Sequence, residues 1–136
     1  MSMGRKKTKV TIVKRGNVFE ACLGEGVGSE QSGFRPVVII QNDVGNRHST
    51  TVIVAPITSQ TDKPNLPTHV KVNSCDFLEK NSMVILEQIR TIDKKRLKKF
   101  KGTISKEDMI KVDQAILVSC GITNTYTENK KIAIGV

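Results

Sequence analysis

The chain has 136 residues, of which 38% are hydrophobic and 26% charged, the composition of one globular domain with a modest core. It has no apolar run long enough for a membrane helix and no apolar segment behind its basic start to form a signal peptide, so a soluble, cytoplasmic protein is predicted. The formal net charge of +9 favours an anionic partner.

Positive charge is concentrated in two segments. Residues 1–15 carry six lysines and arginines without an acid, and residues 94–101 carry six more, so the other ten bases are outnumbered by the 13 acids. If the two segments met in space they would form a phosphate-binding groove, and if they stayed apart they would be solvated surface. The sequence leaves both interpretations open.

Short apolar runs alternate with turn-rich gaps, which is the pattern of a small β-rich domain. Residues 37–40 are apolar and β-branched throughout, so this strand is predicted to be covered on both faces. Residues 24–34 are predicted to be a loop, residues 42–50 a polar turn, and residues 76–80 allow a short helical turn. The predicted strands are residues 10–13, 17–23, 37–40, 51–57, 69–72 and 83–89.

One helix is predicted near the C-terminus. Ser105 can cap its start, Asp108 follows three residues later as in a capping box, and Gly121 ends it. An apolar stripe at helical spacing predicts the face packed on the core, although a dimer contact would use the same stripe. The stripe consists of Met109, Val112, Ile116 and Cys120. Strands around a small core with one helix at the end predict a compact, partly open barrel.

Cysteine and histidine usage gives little support for a metal site. The cysteines at 22, 75 and 120 are odd in number and form no CxxC pair, so free thiols are predicted, with Cys120 buried on the helix. His48 lies in a polar turn and is predicted at the surface, whereas His69 opens a strand and either lines a groove or is a satisfied structural histidine. No carboxylate cluster has metal-ligand spacing, so no metal and no other cofactor is predicted.

The glycine-rich stretch GEGVGSEQSG suggests a phosphate cradle but fails the details of known cradles. It lacks the GK[ST] of a P-loop, it has Ser29 where GxGxxG requires glycine, and no amphipathic helix follows. A flexible substrate loop between two strands is therefore the better interpretation.

Phe34-Arg35-Pro36 is the more informative local pattern. Pro36 fixes the backbone where the loop meets a buried strand, which leaves the Arg35 guanidinium free to face a cleft. A guanidinium binds phosphate oxygens in a bidentate manner and stabilises the charge that develops when a phosphodiester is attacked. The alternative is an ordinary strand-end arginine paired with Glu30 or Glu87, and the local pattern does not decide between them.

The runs VKRGNVFEACL, VGSEQSGFRPVVIIQNDVGNRHSTTVIVAPITSQ, LPTHVKV and MVILEQIRTIDKKRL resemble the MazF/PemK/Kid family of toxin endoribonucleases, particularly its Gram-positive branch. The resemblance covers about residues 13–120. It implies an SH3-like small barrel of the MazF/CcdB type, mainly β with a C-terminal helix, which forms a two-fold homodimer with grooves for single-stranded RNA. It places one toxin domain at residues 10–122, a disordered basic extension at 1–9 and a C-terminal tail at 123–136.

The resemblance also implies roles for individual residues. Arg35 matches the arginine of the family's RPV motif and Thr58 the threonine of its IT motif, and these two are the family's catalytic pair. The residues matching its RNA-binding positions are Arg15, Ser29, Glu30, Gln31, Leu66, His69, Gln88 and Arg96.

RNA can be cut without a metal when the ribose 2′-hydroxyl is the nucleophile, provided that something accepts its proton and something donates a proton to the leaving 5′-oxygen. Arg35 is suited to stabilising the pentavalent phosphate and can also protonate the leaving group. Thr58 is a poor base, so an orienting role is predicted for it. The proton acceptor stays unassigned. Because only 4% of residues are aromatic, bases are predicted to be read mainly through polar edges.

The predicted function is therefore a sequence-specific, metal-independent endoribonuclease toxin that cleaves mRNA and inhibits translation and growth. Its implied partner is a MazE-like antitoxin with an acidic, disordered segment, which the basic segments suit. One alternative is a non-catalytic CcdB-like toxin that binds DNA gyrase, and another is an RNA-binding module that has lost its activity. The retention of Arg35 and Thr58 favours the nuclease.

Overall fold

The computed structural model describes residues 12–59, 65–72 and 75–122. The expectations for residues 1–9 and 123–136 lie outside the described residues. Seven strands, two α-helices and two short 3-10 turns follow one another along the chain. The strands are β1 (Asn17–Cys22), β2 (Phe34–Ile39), β3 (Thr51–Thr58), β4 (His69–Lys71), β5 (Met83–Ile85), β6 (Arg90–Asp93) and β7 (Leu97–Thr103). The helices are α1 (Asp43–His48) and α2 (Lys106–Cys120), and the 3-10 turns are Leu86–Gln88 and Lys94–Arg96.

The strands form one curled antiparallel sheet with the order β4-β5-β3-β2-β1-β7. The long strand β3 causes the curl, because its first half pairs with β6 and its last two residues pair with β5. This arrangement with a C-terminal helix confirms the predicted fold, mainly β and barrel-like.

The central strands carry apolar side chains on both faces of the sheet. Val38 belongs to a cluster that α2 and β5 cover, whereas Val37 and Ile39 belong to a second cluster completed by β6 and β7. Residues 37–40 are all buried, so the predicted double coverage is confirmed. The sheet thus holds β1, β2 and β3 rigidly between two small cores.

Two strands were missed by the apolar pattern. β7 is LKKFKGT, in which Leu97 is the only buried side chain, and it lies at the edge of the sheet beside β1. Charged residues are common on edge strands because they discourage pairing with other chains, but they hide the strand from a search for apolar alternation. β6 has only Ile92 buried and was hidden in the same way.

Residues 42–50, predicted as a polar turn, contain helix α1 instead. Asn42 caps it, since its side chain accepts from the Gly45 backbone N–H at 2.8 Å. The helix is too short and polar for a period to show, and only its Asn46 is buried. His48 ends it in an exposed position, as predicted. Residues 12 and 13 belong to no strand, and residues 76–80 form turns rather than a helix.

Helix α2 has the predicted ends. Ser105 accepts from the Asp108 backbone N–H at 3.1 Å, and Gly121 takes the left-handed conformation with φ +72°. Val112 is buried and Ile116 packs against the core, but Cys120 is exposed, so its predicted burial is wrong. The helix outlasts the sheet that it covers, which leaves its last turn in solvent.

The three cysteines are free thiols, as predicted. Cys22 and Cys75 are half-buried. Burial raises the pKa of the Cys75 thiol, and the carboxylates of Asp108 and Asp76 raise it further.

Candidate active site

Arg35 lies inside strand β2, one turn of the pleat beyond its start. The strand begins at Phe34, so the predicted position of Arg35 between loop and strand is corrected by two residues. Arg35 pairs with Ala21 of β1 and is followed by Pro36, which pairs with Glu20. Its backbone is therefore fixed by the sheet rather than by a loop.

The Arg35 guanidinium is held by two carbonyl groups. Its Nε donates to the Ser32 carbonyl at 3.0 Å, and its Nη1 donates to the Ile57 carbonyl at 3.5 Å. Among the described residues it forms no ion pair with Glu30 or Glu87, which overturns the structural alternative. A guanidinium has five N–H groups, so the remaining ones can bind an anion.

Arg35 and Thr58 line one cavity of about 260 Å³, which we call the Arg35 cavity. Thr58 is the last residue of β3, only 5% exposed, and follows the Ile57 carbonyl that Arg35 contacts. The structure therefore brings the two predicted catalytic residues together. The remaining lining residues are Glu20, Phe34, Pro36, Ile57, Ser59, Phe77, Leu78, Glu79, Ser82 and Lys101.

Three lining residues were missed by sequence reasoning. Glu20 is an acid between the buried residues Phe19 and Ala21, which is a visible signal of an unusual strand position. Lys101 belongs to the edge strand β7, which was itself missed. Phe77 packs against Gly102, where an added Cβ would lie 2.5 Å from the ring.

A second cavity, of about 560 Å³, lies beside the loop between β1 and β2, and we call it the Gln88 cavity. Ser29, Glu30 and Gln31 line it together with Gln88. Gln88 Oε1 accepts from the Gln31 backbone N–H at 2.7 Å, and its Nε2 donates to the Ser29 carbonyl at 3.0 Å. Four of the predicted RNA-binding residues thus share one surface.

Glu87 connects the Gln88 cavity to strand β4. Its carboxylate accepts from the Thr68 hydroxyl and lies 3.0 Å from His69 Nε2. Burial raises the pKa of Glu87, but the hydrogen bonds from Thr68 and His69 outweigh burial and hold it below its usual range. The His69 side chain is only 3% exposed, so His69 is a satisfied histidine, whereas Leu66 is exposed just before it.

The remaining predicted residues lie away from both cavities. Arg15 donates from Nε to the Ile40 carbonyl at 2.7 Å and from Nη2 to Asp113 at 2.7 Å. Arg96 donates to the Cys22 carbonyl at 3.1 Å, at the root of the loop between β1 and β2. Of the two basic segments, Lys14 and Lys94 line a third cavity together, while most of residues 1–15 lie outside the described residues.

Within the described residues, no three His, Cys, Asp or Glu side chains are grouped to hold a metal ion. No helix in the described part of the chain is long and apolar enough to span a membrane.

Comparisons with known proteins give a consistent result. Residues 14–120 match the family model of the PemK-like, MazF-like toxin of type II toxin–antitoxin systems. The chain is 51% identical over 114 residues to the Endoribonuclease MazF of Staphylococcus epidermidis, covering 83% of this chain and 95% of that protein.

Solved structures show the same fold. A mycobacterial endoribonuclease in complex with its cognate antitoxin superposes with a TM-score of 0.70 at 26% identity, over 82% of this chain and 97% of that one. MazF from Deinococcus radiodurans superposes with a TM-score of 0.72 at 17% identity, over 83% of this chain and all of that one.

Proposed function

This chain belongs to the PemK-like, MazF-like toxins of type II toxin–antitoxin systems, and on that premise we propose that it cuts single-stranded RNA in the Arg35 cavity. It is an endoribonuclease toxin, as its 51% identity to a MazF endoribonuclease over most of its length shows. That match also disfavours the alternative of a gyrase-binding CcdB-like toxin. The observation that carries the site assignment is the meeting of Arg35 and Thr58 in one cavity.

Arg35 binds the scissile phosphate in this proposal. Its guanidinium is anchored by the Ser32 and Ile57 carbonyls and keeps N–H groups for two phosphate oxygens. Charge on those oxygens increases when the ribose 2′-hydroxyl attacks phosphorus, so a fixed guanidinium stabilises the transition state more than the substrate. Thr58, held at the end of β3, orients the phosphate or the 2′-hydroxyl.

The Gln88 cavity reads the neighbouring bases. Gln88, Ser29, Glu30 and Gln31 present amide, carbonyl and carboxylate groups that match base edges. Phe34, 61% exposed at the rim of the Arg35 cavity, adds a surface on which a base can stack. We assign supporting RNA contacts to Leu66, His69, Arg15 and Arg96, and a sequence-specific cut follows from these contacts together.

Partners and setting complete the proposal. A homodimer of this chain is neutralised by a MazE-like antitoxin, whose acidic, disordered segment covers the same basic surface as RNA. A relative has been solved with its cognate antitoxin, which supports this partner class. The substrate is mRNA, so we place the protein in the cytoplasm, where cleavage stops translation and growth. Residues 10–122 form the toxin domain, with residues 1–9 and 123–136 as an extension and a tail.

One experiment tests the cleavage reaction. The purified protein and its Arg35→Ala variant are incubated with long single-stranded RNA in EDTA. The wild type is expected to cut at a defined sequence and the variant to lose about 100-fold or more of the rate. RNA with a 2′-deoxy residue at the cut position is expected to stay intact. Absence of cleavage by the wild type, or equal cleavage by both proteins, would refute the proposal.

A further inference from the structure

The Arg35 cavity contains a carboxylate that the family resemblance does not assign. Glu20 lies in β1 between Phe19 and Ala21, which belong to one core cluster. Because successive side chains of a strand point to opposite faces, Glu20 points away from that cluster and lines the cavity. It pairs with Pro36 across β1 and β2, directly beside Arg35. The sheet therefore fixes this carboxylate near the phosphate-binding guanidinium.

Lys101 reaches the same cavity because strand β7 contains a bulge. Val18 pairs with Gly102, but the next residue, Phe19, pairs with Phe100, so Lys101 is the extra residue. A bulge changes the direction of a side chain, and bulges are frequent next to active sites. Lys101 is half-buried and lines the Arg35 cavity.

Neither charge is used by the fold. Over the described ranges, the side chains of Glu20 and Lys101 form no hydrogen bond and no ion pair, with each other or with any other residue. The other charged groups of the cavity are Arg35 from β2 and Glu79 from the turn before β5. Half-buried charges lose hydration, so charges kept without a structural partner are available to a substrate.

We propose that Glu20 is the proton acceptor and Lys101 the proton donor of the cleavage reaction, an inference that rests on the function proposed above. The Glu20 carboxylate takes the proton of the ribose 2′-hydroxyl as the 2′-oxygen forms its bond to phosphorus. The bond from phosphorus to the 5′-oxygen breaks, and the 5′-oxygen takes a proton from the Lys101 ammonium. The products are a 2′,3′-cyclic phosphate and a 5′-hydroxyl, and water later returns both side chains to their starting charge.

Glu20 is a better base than the other carboxylate of the cavity on geometric grounds. Glu79 lies in a turn with its side chain exposed, whereas Glu20 is fixed in a central pair of strands. General base catalysis depends on positioning within hydrogen-bond reach, which a strand secures better than a turn. Lys101 is a better acid than Arg35 because an ammonium gives up a proton much more readily than a guanidinium.

The first test compares Glu20→Gln with Glu79→Gln in single-turnover cleavage of an RNA oligonucleotide over a range of pH. Glu20→Gln is expected to lower the rate by about 100-fold or more and to abolish the decrease in rate that the wild type shows toward acidic pH. Glu79→Gln is expected to lose far less, and Glu20→Asp to recover part of the rate. Binding of an uncleavable 2′-deoxy oligonucleotide is expected to change by less than about threefold in Glu20→Gln.

Near-wild-type cleavage by Glu20→Gln, or an unchanged pH profile, would overturn the assignment of the base. If the wild type still cut RNA and Arg35→Ala did not, only this inference would fail. A wild type without any cleavage would instead overturn the proposed function, and this inference with it.

The second test uses a substrate in which the leaving 5′-oxygen is replaced by sulfur, because a thiolate leaves without protonation. Lys101→Met is expected to cut normal RNA about 100-fold more slowly, but the sulfur substrate at close to the wild-type rate. Lys111→Met, which removes the same charge from exposed helix α2, is the matched control and is expected to keep both rates. Equal losses on both substrates would show that Lys101 binds phosphate and is not the proton donor.

Discussion

The backbone N–H of Gln31 donates to the side-chain Oε1 of Gln88 at 2.7 Å, which joins the loop after β1 to the turn after β5. The other end of the same amide donates to the Ser29 carbonyl at 3.0 Å. One side chain thus holds the whole recognition loop before RNA arrives. A base that binds the Gln88 amide must replace these contacts, so base recognition and loop position are coupled.

Gln88→Ala is expected to release this loop. Losing two hydrogen bonds of about 1 kcal/mol each leaves the Gln31 N–H without its partner, so its amide exchange should accelerate about 5-fold or more. RNA affinity should decrease at the same time. Gln114→Ala, on the exposed face of α2, is the control. Unchanged exchange at Gln31, measured by NMR, would mean that the amide does not hold the loop.

Arg15 joins three parts of the fold, and its loss is expected to cost stability. Its backbone N–H donates to Asp43 at 2.7 Å, and its guanidinium contacts the Ile40 carbonyl and Asp113. We expect Arg15→Ala to lower the free energy of unfolding by about 1–2 kcal/mol, measured by urea denaturation. A double-mutant cycle with Asp113→Ala should give a coupling below about 1 kcal/mol, because the pair is partly exposed. Zero coupling would contradict the contact.

The sequence predicted those parts of the fold that bury apolar side chains regularly. β1, β2 and β3 have such patterns, and α2 has in addition a capping serine and a terminal glycine. Edge strand β7 was invisible because charged residues fill it, and α1 because a two-turn polar helix has no period to detect. Cys120 was placed wrongly because helical spacing continues past the point where the sheet ends.

The site was predictable in part, for a different reason. Arg35 was found by its position next to proline and by chemistry, while Thr58 came from the resemblance alone. Glu20 and Lys101 depend on strand pairing and on a bulge in β7, and neither can be read from local sequence. The Gln88 contacts likewise join residues far apart in the chain.

Gly102 is expected to tolerate no side chain. An added Cβ would lie 2.5 Å from Phe77 Cδ2, so the ring that walls the Arg35 cavity would have to move. Gly102→Ala should lose about 1–3 kcal/mol of stability, and cleavage should slow. Adding Phe77→Ala should relieve the clash, so the double variant is expected to be less destabilised than the sum of the single changes. Additive losses in denaturant unfolding would argue against this contact.

Asp43 should make stability depend on pH at the acidic end. The Arg15 backbone N–H, and after it the Asn46 side chain, hold the pKa of Asp43 below its usual range. A carboxylate with a lowered folded-state pKa stabilises the protein above the unfolded-state pKa of about 4, and this contribution is lost as pH falls through the folded-state pKa. Asp43→Asn should therefore cost stability at neutral pH, by less than about 1 kcal/mol because the group is exposed, and almost none near pH 2. A difference that persists at pH 2 would exclude this origin.

Thr58 is expected to act through its hydroxyl and to leave proton transfer to other groups. Thr58→Ser keeps the hydroxyl at the end of β3, so cleavage should stay within about tenfold of the wild type and its pH profile should keep its shape. Thr58→Val keeps the buried shape without the hydroxyl, and the rate should decrease by about 10- to 100-fold, again with an unchanged profile. A positioning group alters the height of a pH–rate curve, whereas a base alters its form. A changed profile in Thr58→Val would therefore make Thr58 part of the proton transfer and would weaken the assignment of Glu20.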